Sequence, residues 1–187
     1  MSKMKWAKDI SNRKLIPIIF AIVFIFWGGV IFYFSSKPPE VSSMQSHFMY
    51  KVLKKIDSVI DFSSTQLFQK IERKVKMWWF KTQYVPAEML IRKTAHFGLY
   101  FIFGLLSVSF FYVWKKDIII ASLLGVSLPG LLAIFDEYNQ LFYRRGSSLN
   151  DVVIDVSGAF FGVFLFLVIT GLFKLFKGVK ALLSERR

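Results

Sequence analysis

Four stretches of this chain, residues 15–34, 95–114, 118–135 and 152–173, carry almost no charge, and each is long enough to cross the hydrocarbon core of a bilayer as a helix. In lipid the backbone must satisfy its own hydrogen bonds, so four such runs leave few alternatives to a helical bundle. The second run is polar only at His96, Ser107, Ser109 and its tyrosines. The third stops at Asp136, and the fourth is polar at Asp155, Ser157 and Thr170. Pro129 and Gly130 fall inside the third, where neighbouring helices can absorb a kink. A secretory signal would explain the basic start, but the first run is long and ends in bulky Phe32, Tyr33 and Phe34, so it reads as an uncleaved anchor. The expected fold is all-α: an integral membrane four-helix bundle.

Composition agrees with this and removes several function classes. The chain of 187 residues is 55% hydrophobic, which argues against a soluble domain and against disorder. It has no cysteine, so disulfides, thiol catalysis and cysteine-based zinc sites are excluded. The net charge of +13 would suggest nucleic acid in a soluble protein. Here the basic residues flank spans. Five precede the first run, Lys115 and Lys116 form the second-to-third turn, and five follow the fourth run. By the positive-inside rule both termini are cytoplasmic, the 1–14 and 174–187 tails lie inside, and the 136–151 loop lies outside. The 35–94 segment, with eleven basic residues, also faces outward, because long loops translocate largely regardless of charge.

That segment is patterned. Pro38 and Pro39 break the first helix, and Phe48, Val52, Ile56, Val59 and Ile60 then recur at helical spacing. Leu67, Phe68, Ile71, Val75, Trp78 and Trp79 repeat the pattern among Lys70, Arg73, Lys74 and Lys76. Two outward amphipathic helices between spans one and two are expected. They either lie on an anionic lipid surface or cap the bundle.

Polar groups within spans are costly, so their placement is informative. Arg92, His96 and Tyr100 are four apart and share a helix face; Asp136, Glu137 and Gln140 leave span three on the same side, and Asp151 and Asp155 enter span four from it. Gly158 and Gly162 continue the Asp155 side at a spacing that permits close helix approach. Four carboxylates stand against Arg92, Lys93, Arg144 and Arg145, with His96 as the group that normally titrates near neutrality. Carboxylate oxygens suit a divalent cation, but the basic neighbours compete for them. No metal site or cofactor is expected. Zinc-ligand spacing, a glycine-rich phosphate loop and a nucleophile elbow are all missing from the sequence.

Three blocks, Phe32 to Ser36 with Pro38, Ser42 and Ser43; Arg92 to Phe97 with Tyr100; and Asp136-Glu137 with Gln140, Arg145, Ser148, Asp151, Asp155, Gly158 and Gly162, resemble the VanZ-like family. That family is named for an accessory protein of teicoplanin resistance, and the likeness covers roughly residues 30–172. It implies a small multi-pass protein in which these polar blocks are the shared feature, without a settled reaction. Arg144-Arg145 stands where a Gly-Arg pair is common in the family; Arg145 fits the family position by its distance to Asp151.

The cluster has two readings. As structure, it is an ion-pair network that locks spans two, three and four. As a site, Arg92 and Arg145 are anion clamps, because guanidinium forks match phosphate or carboxylate oxygens. Gln140, Ser148 and Tyr100 then complete binding, His96 with Glu137 or Asp136 supplies acid and base, and Asp151, Asp155, Gly158 and Gly162 orient the rest. Lys93 is expected to reach for the interface. The expected ligand is an anionic envelope lipid or lipid-linked cell-wall intermediate, and the resemblance implies lowered susceptibility to teicoplanin-type drugs. The alternative is a membrane enzyme that hydrolyses or transfers a group on such a lipid. Nucleic acid is not an expected partner.

The orientation is testable because the chain has no native thiol. Cysteines placed at Ser43 and Ser147 should react with an impermeant maleimide in intact cells, and those at Lys116 and Ser184 only after permeabilisation. Labelling of position 147 only after permeabilisation would reverse the topology.

Overall fold

A computed structural model describes residues 2–143 and 148–185, and their regular structure is entirely helical. The order is α1 (Ser2–Ser35), α2 (Pro39–Ile60), α3 (Gln66–Phe80), α4 (Ala87–Lys115), α5 (Ile118–Gln140), a short 3₁₀ turn (Leu141–Tyr143) and α6 (Leu149–Glu185). Local chemistry sets the boundaries. Proline at the first position of α2 loses no bond the helix could have made. The Asp117 carboxylate caps α5 by accepting from the Ile119 and Ile120 amides at 2.8 and 3.0 Å. The Thr65 hydroxyl does the same for α3 from Phe68. Asp61, Lys81 and Lys116 end α2, α3 and α4 in the left-handed conformation, at φ of 51°, 58° and 57°.

Four helices are long and apolar enough to span a membrane: Leu15–Ser35, Ala87–Lys115, Ile118–Tyr143 and Leu149–Ser184. Their surfaces demand it. Ile25 and Phe26 of α1 are 69% and 66% exposed, and Leu172 and Phe173 of α6 are similarly bare. A continuous apolar exterior of this kind is stable in hydrocarbon and not in water. The protein is an all-α, multi-pass membrane protein.

The helices outrun the charge-free stretches. α4 starts at Ala87, eight residues before the apolar run, and carries Arg92 and Lys93; α5 continues through Asp136 and Glu137 to Gln140; α6 begins at Leu149 and includes Asp151. The polar stretch read as a 136–151 loop is therefore mostly helix at both ends. Asp136, Glu137 and Gln140 are buried in the bundle and Asp151 pairs with Lys93, so the helical backbone continues where hydropathy falls.

α4 is the hub, packing against α1, α2, α5 and α6. Ile31, Tyr100, Phe103 and Ala133 join α1, α4 and α5 in one buried cluster, and Val108, Phe111, Ala121 and Val163 join α4, α5 and α6 in another. The α4–α6 contact is backbone to backbone. A Cβ on Gly158 would overlap the Phe97 carbonyl, one on Gly162 the Phe101 carbonyl, and one on Gly104 the backbone of Ala159.

Between the first two spans, α2 packs on α4, where His47 Nδ1 lies 3.3 Å from Glu88 Oε1. Trp79 of α3 is buried, with its ring 5.8 Å from that of Phe97. Asp57 closes the α2–α3 turn by accepting from the Ser63 hydroxyl at 2.6 Å and amide at 2.8 Å. Those bonds hold its carboxyl below the ordinary carboxylate range. Val59, Ile60 and Leu67 remain exposed, so this segment docks along one edge and leaves an apolar edge free.

Carbonyl oxygens in a helix cannot move aside as a side chain can. Gly162→Ala should therefore lower stability by about 1–3 kcal/mol. Gly171→Ala, with open space around it, should be neutral or stabilising by up to about 1 kcal/mol. Unfolding of the two proteins in detergent against the parent checks the contrast.

Candidate functional site

Three helices bring their polar residues to one end of the bundle. On α4, Arg92 and His96 are one turn apart, and Tyr100 follows another turn on. The last turns of α5 hold Asp136, Glu137 and Gln140, which are all buried. The first turns of α6 supply Asp151 and Asp155, and Asp155 is 1% exposed. The glycine contacts between α4 and α6 draw these residues together.

His96 Nδ1 lies 3.7 Å from Asp155 Oδ1. One ligand-type atom each from His96, Asp136 and Asp155 falls within 4.8 Å of the others. Gln140 Nε2 donates to Asp136 Oδ2 at 3.4 Å. Glu137 takes a separate role: its Oε1 accepts the Ser148 amide at 2.5 Å, fastening the start of α6 to the end of α5. Tyr100 is fully buried between these carboxylates, within electrostatic reach of Asp136, Asp155 and Glu137.

Lys93 corrects the sequence reading. Instead of reaching for the interface it is buried against Asp151, with its ammonium 5.2 Å from the Phe80 ring centre. Neighbouring residues on a helix point about 100° apart, so Arg92 and Lys93 cannot share a target. Arg92 faces the other way, into a cavity of about 740 Å³ between α1, α2 and α4. Trp27, Phe34, Met44, Phe48, Leu99 and Ile102 make its wall apolar, whereas Arg92, His96, Gln45 and Ser46 supply polarity. No carboxylate is among its described lining residues. Trp27 Nε1 donates to the Leu99 carbonyl at 2.9 Å and fixes α1 to α4 beside it.

Of the sequence candidates, the structure gathers buried Asp136, Asp155, Tyr100, Glu137 and Gln140 into one group with half-buried His96, and Ser148 and Asp151 lie beside it. Arg92 stands on the cavity side, and Gly158 and Gly162 lie in the α4–α6 contact. Arg145, with Arg144, lies outside the described residues. A family model described as VanZ/LLP1 matches residues 20–171.

The chain belongs to the VanZ/LLP1 family.

No curated protein and no solved structure matches it significantly. The matched region of this VanZ/LLP1 protein contains the polar residues of α4, α5 and α6 and the α2–α3 segment. Sequence reasoning missed several residues that shape the site. Gln45 and Ser46 line the cavity, Trp27 fixes its α1 wall, and Asn150 Nδ2 ties α6 to the Trp79 carbonyl at 2.6 Å. The Trp27 indole donor in an apolar run was the available signal, since a buried indole N–H needs a partner. Nothing local marked Gln45 or Asn150.

The Lys93–Asp151 pair permits a direct test of the polar network. Lys93→Met strands part of a negative charge and should cost about 1–3 kcal/mol, less than a fully buried pair because the Asp151 side chain keeps 26% exposure. Lys93→Met/Asp151→Leu should recover most of that loss. A double-mutant cycle from unfolding in detergent measures the coupling.

Proposed function

We propose that this VanZ/LLP1 protein binds an anionic envelope lipid, or a lipid-linked cell-wall intermediate, with its tail between α1, α2 and α4 and its head group on Arg92 and His96. The observation that carries this reading is the amphipathic cavity itself. Its volume suits a small-molecule ligand. Its wall is hydrocarbon, and its fixed charge is a guanidinium, which pairs phosphate or carboxylate bidentately. The sequence's charge bias supports a cell-membrane orientation with both termini cytoplasmic and the polar end facing outward, where such head groups lie. In that orientation the protein changes the availability of outer-leaflet lipid, or the anchoring of a drug's acyl tail, and so lowers susceptibility to teicoplanin-type lipoglycopeptides.

A second reading, a lipid-modifying membrane enzyme, draws on His96, which lines the cavity and also faces Asp155. A carboxylate behind an imidazole raises its competence as a base. Glu137, bonded to the Ser148 amide, is the weaker partner for that work.

Native mass spectrometry of the purified protein with co-extracted lipid tests binding. Arg92→Ala should lose bound anionic lipid at least tenfold. Ser46→Trp, which fills the cavity, should lose it without altering charge. Retention of the same lipid load by both would overturn the reading. Lipid profiles of cells making the parent or His96→Gln at equal membrane levels separate the two functions: a species consumed or formed only with the parent identifies an enzyme, and equal profiles favour binding.

A further inference from the structure

The polar cluster beside the cavity contains two buried carboxylates, Asp136 and Asp155, that lipid binding does not use. His96, Asp136 and Asp155 come from three different helices, and the fold brings one donor atom of each within 4.8 Å of the others. Asp136 and Asp155 are each 1% exposed. Lys93, the neighbouring lysine, pairs with Asp151.

A second observation comes from Tyr100. Its side chain is 0% exposed and its hydroxyl has no hydrogen-bond partner among the described residues, although it sits one turn beyond His96 and within reach of both aspartates. A buried phenol normally finds a partner. Asp155 Oδ1 likewise makes no hydrogen bond among the described residues, with His96 Nδ1 3.7 Å away.

We propose that His96, Asp136 and Asp155 form a binding site for one divalent transition-metal ion, with Tyr100 contacting a water ligand of that ion. The donor set of one imidazole nitrogen and two carboxylate oxygens selects the class. Imidazole disfavours Mg²⁺ and Ca²⁺, and the absence of thiolate from the chain removes the softest ions, leaving Mn²⁺, Fe²⁺ or Zn²⁺. Bond lengths of about 2.0–2.2 Å set donor separations of roughly 3–4 Å, so the side chains need to close by up to about 1–2 Å. Gln140 holds Asp136 through Oδ2, as outer partners of metal-binding carboxylates do. Open coordination positions would be filled by water on the Tyr100 side. Of the basic residues that compete for these carboxylates, Lys93 is held by Asp151. This site shares His96 with the lipid reading, and a metal titration without added lipid tests it separately.

Full-length protein in detergent, stripped with chelator and titrated with Mn²⁺ without added lipid, tests it through the electron paramagnetic resonance signal of free Mn²⁺. One ion should bind per chain. Asp155→Asn and His96→Gln should each weaken binding at least tenfold, with Glu40→Gln on α2 unchanged. Absence of saturable binding to the parent, or equal affinity in a folded Asp155→Asn protein, overturns the site. The parent alone gives a further readout if those variants do not fold. Its melting temperature should rise with Mn²⁺ and fall back with chelator, and a melting temperature indifferent to both would also overturn it.

Discussion

The close approach of α4 to α6 governs everything at the polar end of this molecule. Helices in lipid gain nothing from hydrophobic exclusion against each other, so a tight seam depends on backbone proximity and on interhelical polar contacts. Gly104, Ala159, Gly158 and Gly162 give the first. The second follows from it, since Lys93 meets Asp151 and His96 faces Asp155 across the same seam. With side chains wedged between the helices, neither pair could form. Each aspartate would then be a charge without support in the membrane.

The architecture was largely legible because hydrocarbon imposes a simple rule on sequence. Runs of apolar residues of spanning length mark helices, and the 158–162 glycine spacing marked the seam. Charged residues at the span ends misled the boundaries, because hydropathy counts Lys93 or Asp136 as a cost and cannot see the partner that cancels it. Relative direction was similarly hidden. Arg92 and Lys93 are adjacent cations, and only packing decides that one lines a cavity and the other a buried pair. The cavity itself was invisible, being a space enclosed between α1, α2 and α4. The residues that define it, from Trp27 to Ile102, are far apart in the chain.

The segment between the first two spans was open to two descriptions, a surface-lying pair of helices or a cap on the bundle. The structure shows the docking of both helices on the bundle. α2 is a wall of the cavity and is joined to α4 at His47 and Glu88, and α3 is pinned through Trp79 to α4 and α6. The opposite edges retain exposed Val59, Ile60, Leu67 and Ile71 beside lysines. An amphipathic helix can satisfy both surfaces when its docking edge and its lipid edge lie on different faces.

The dependence of so many elements on α4 also has a temporal side. Chains are made from the N-terminus, so α1 and α2 emerge before the helix they pack against exists. At about 5–20 residues per second, synthesis from the end of α1 to the end of α4 takes on the order of ten seconds. During that interval α1 is held in place by its hydrophobicity alone, and the indole of Trp27 has yet to meet Leu99. The polar end comes together later still, when α6 has been made. A membrane insertion apparatus must therefore accept Asp136, Asp151 and Asp155 in sequence before the seam that shelters them has closed.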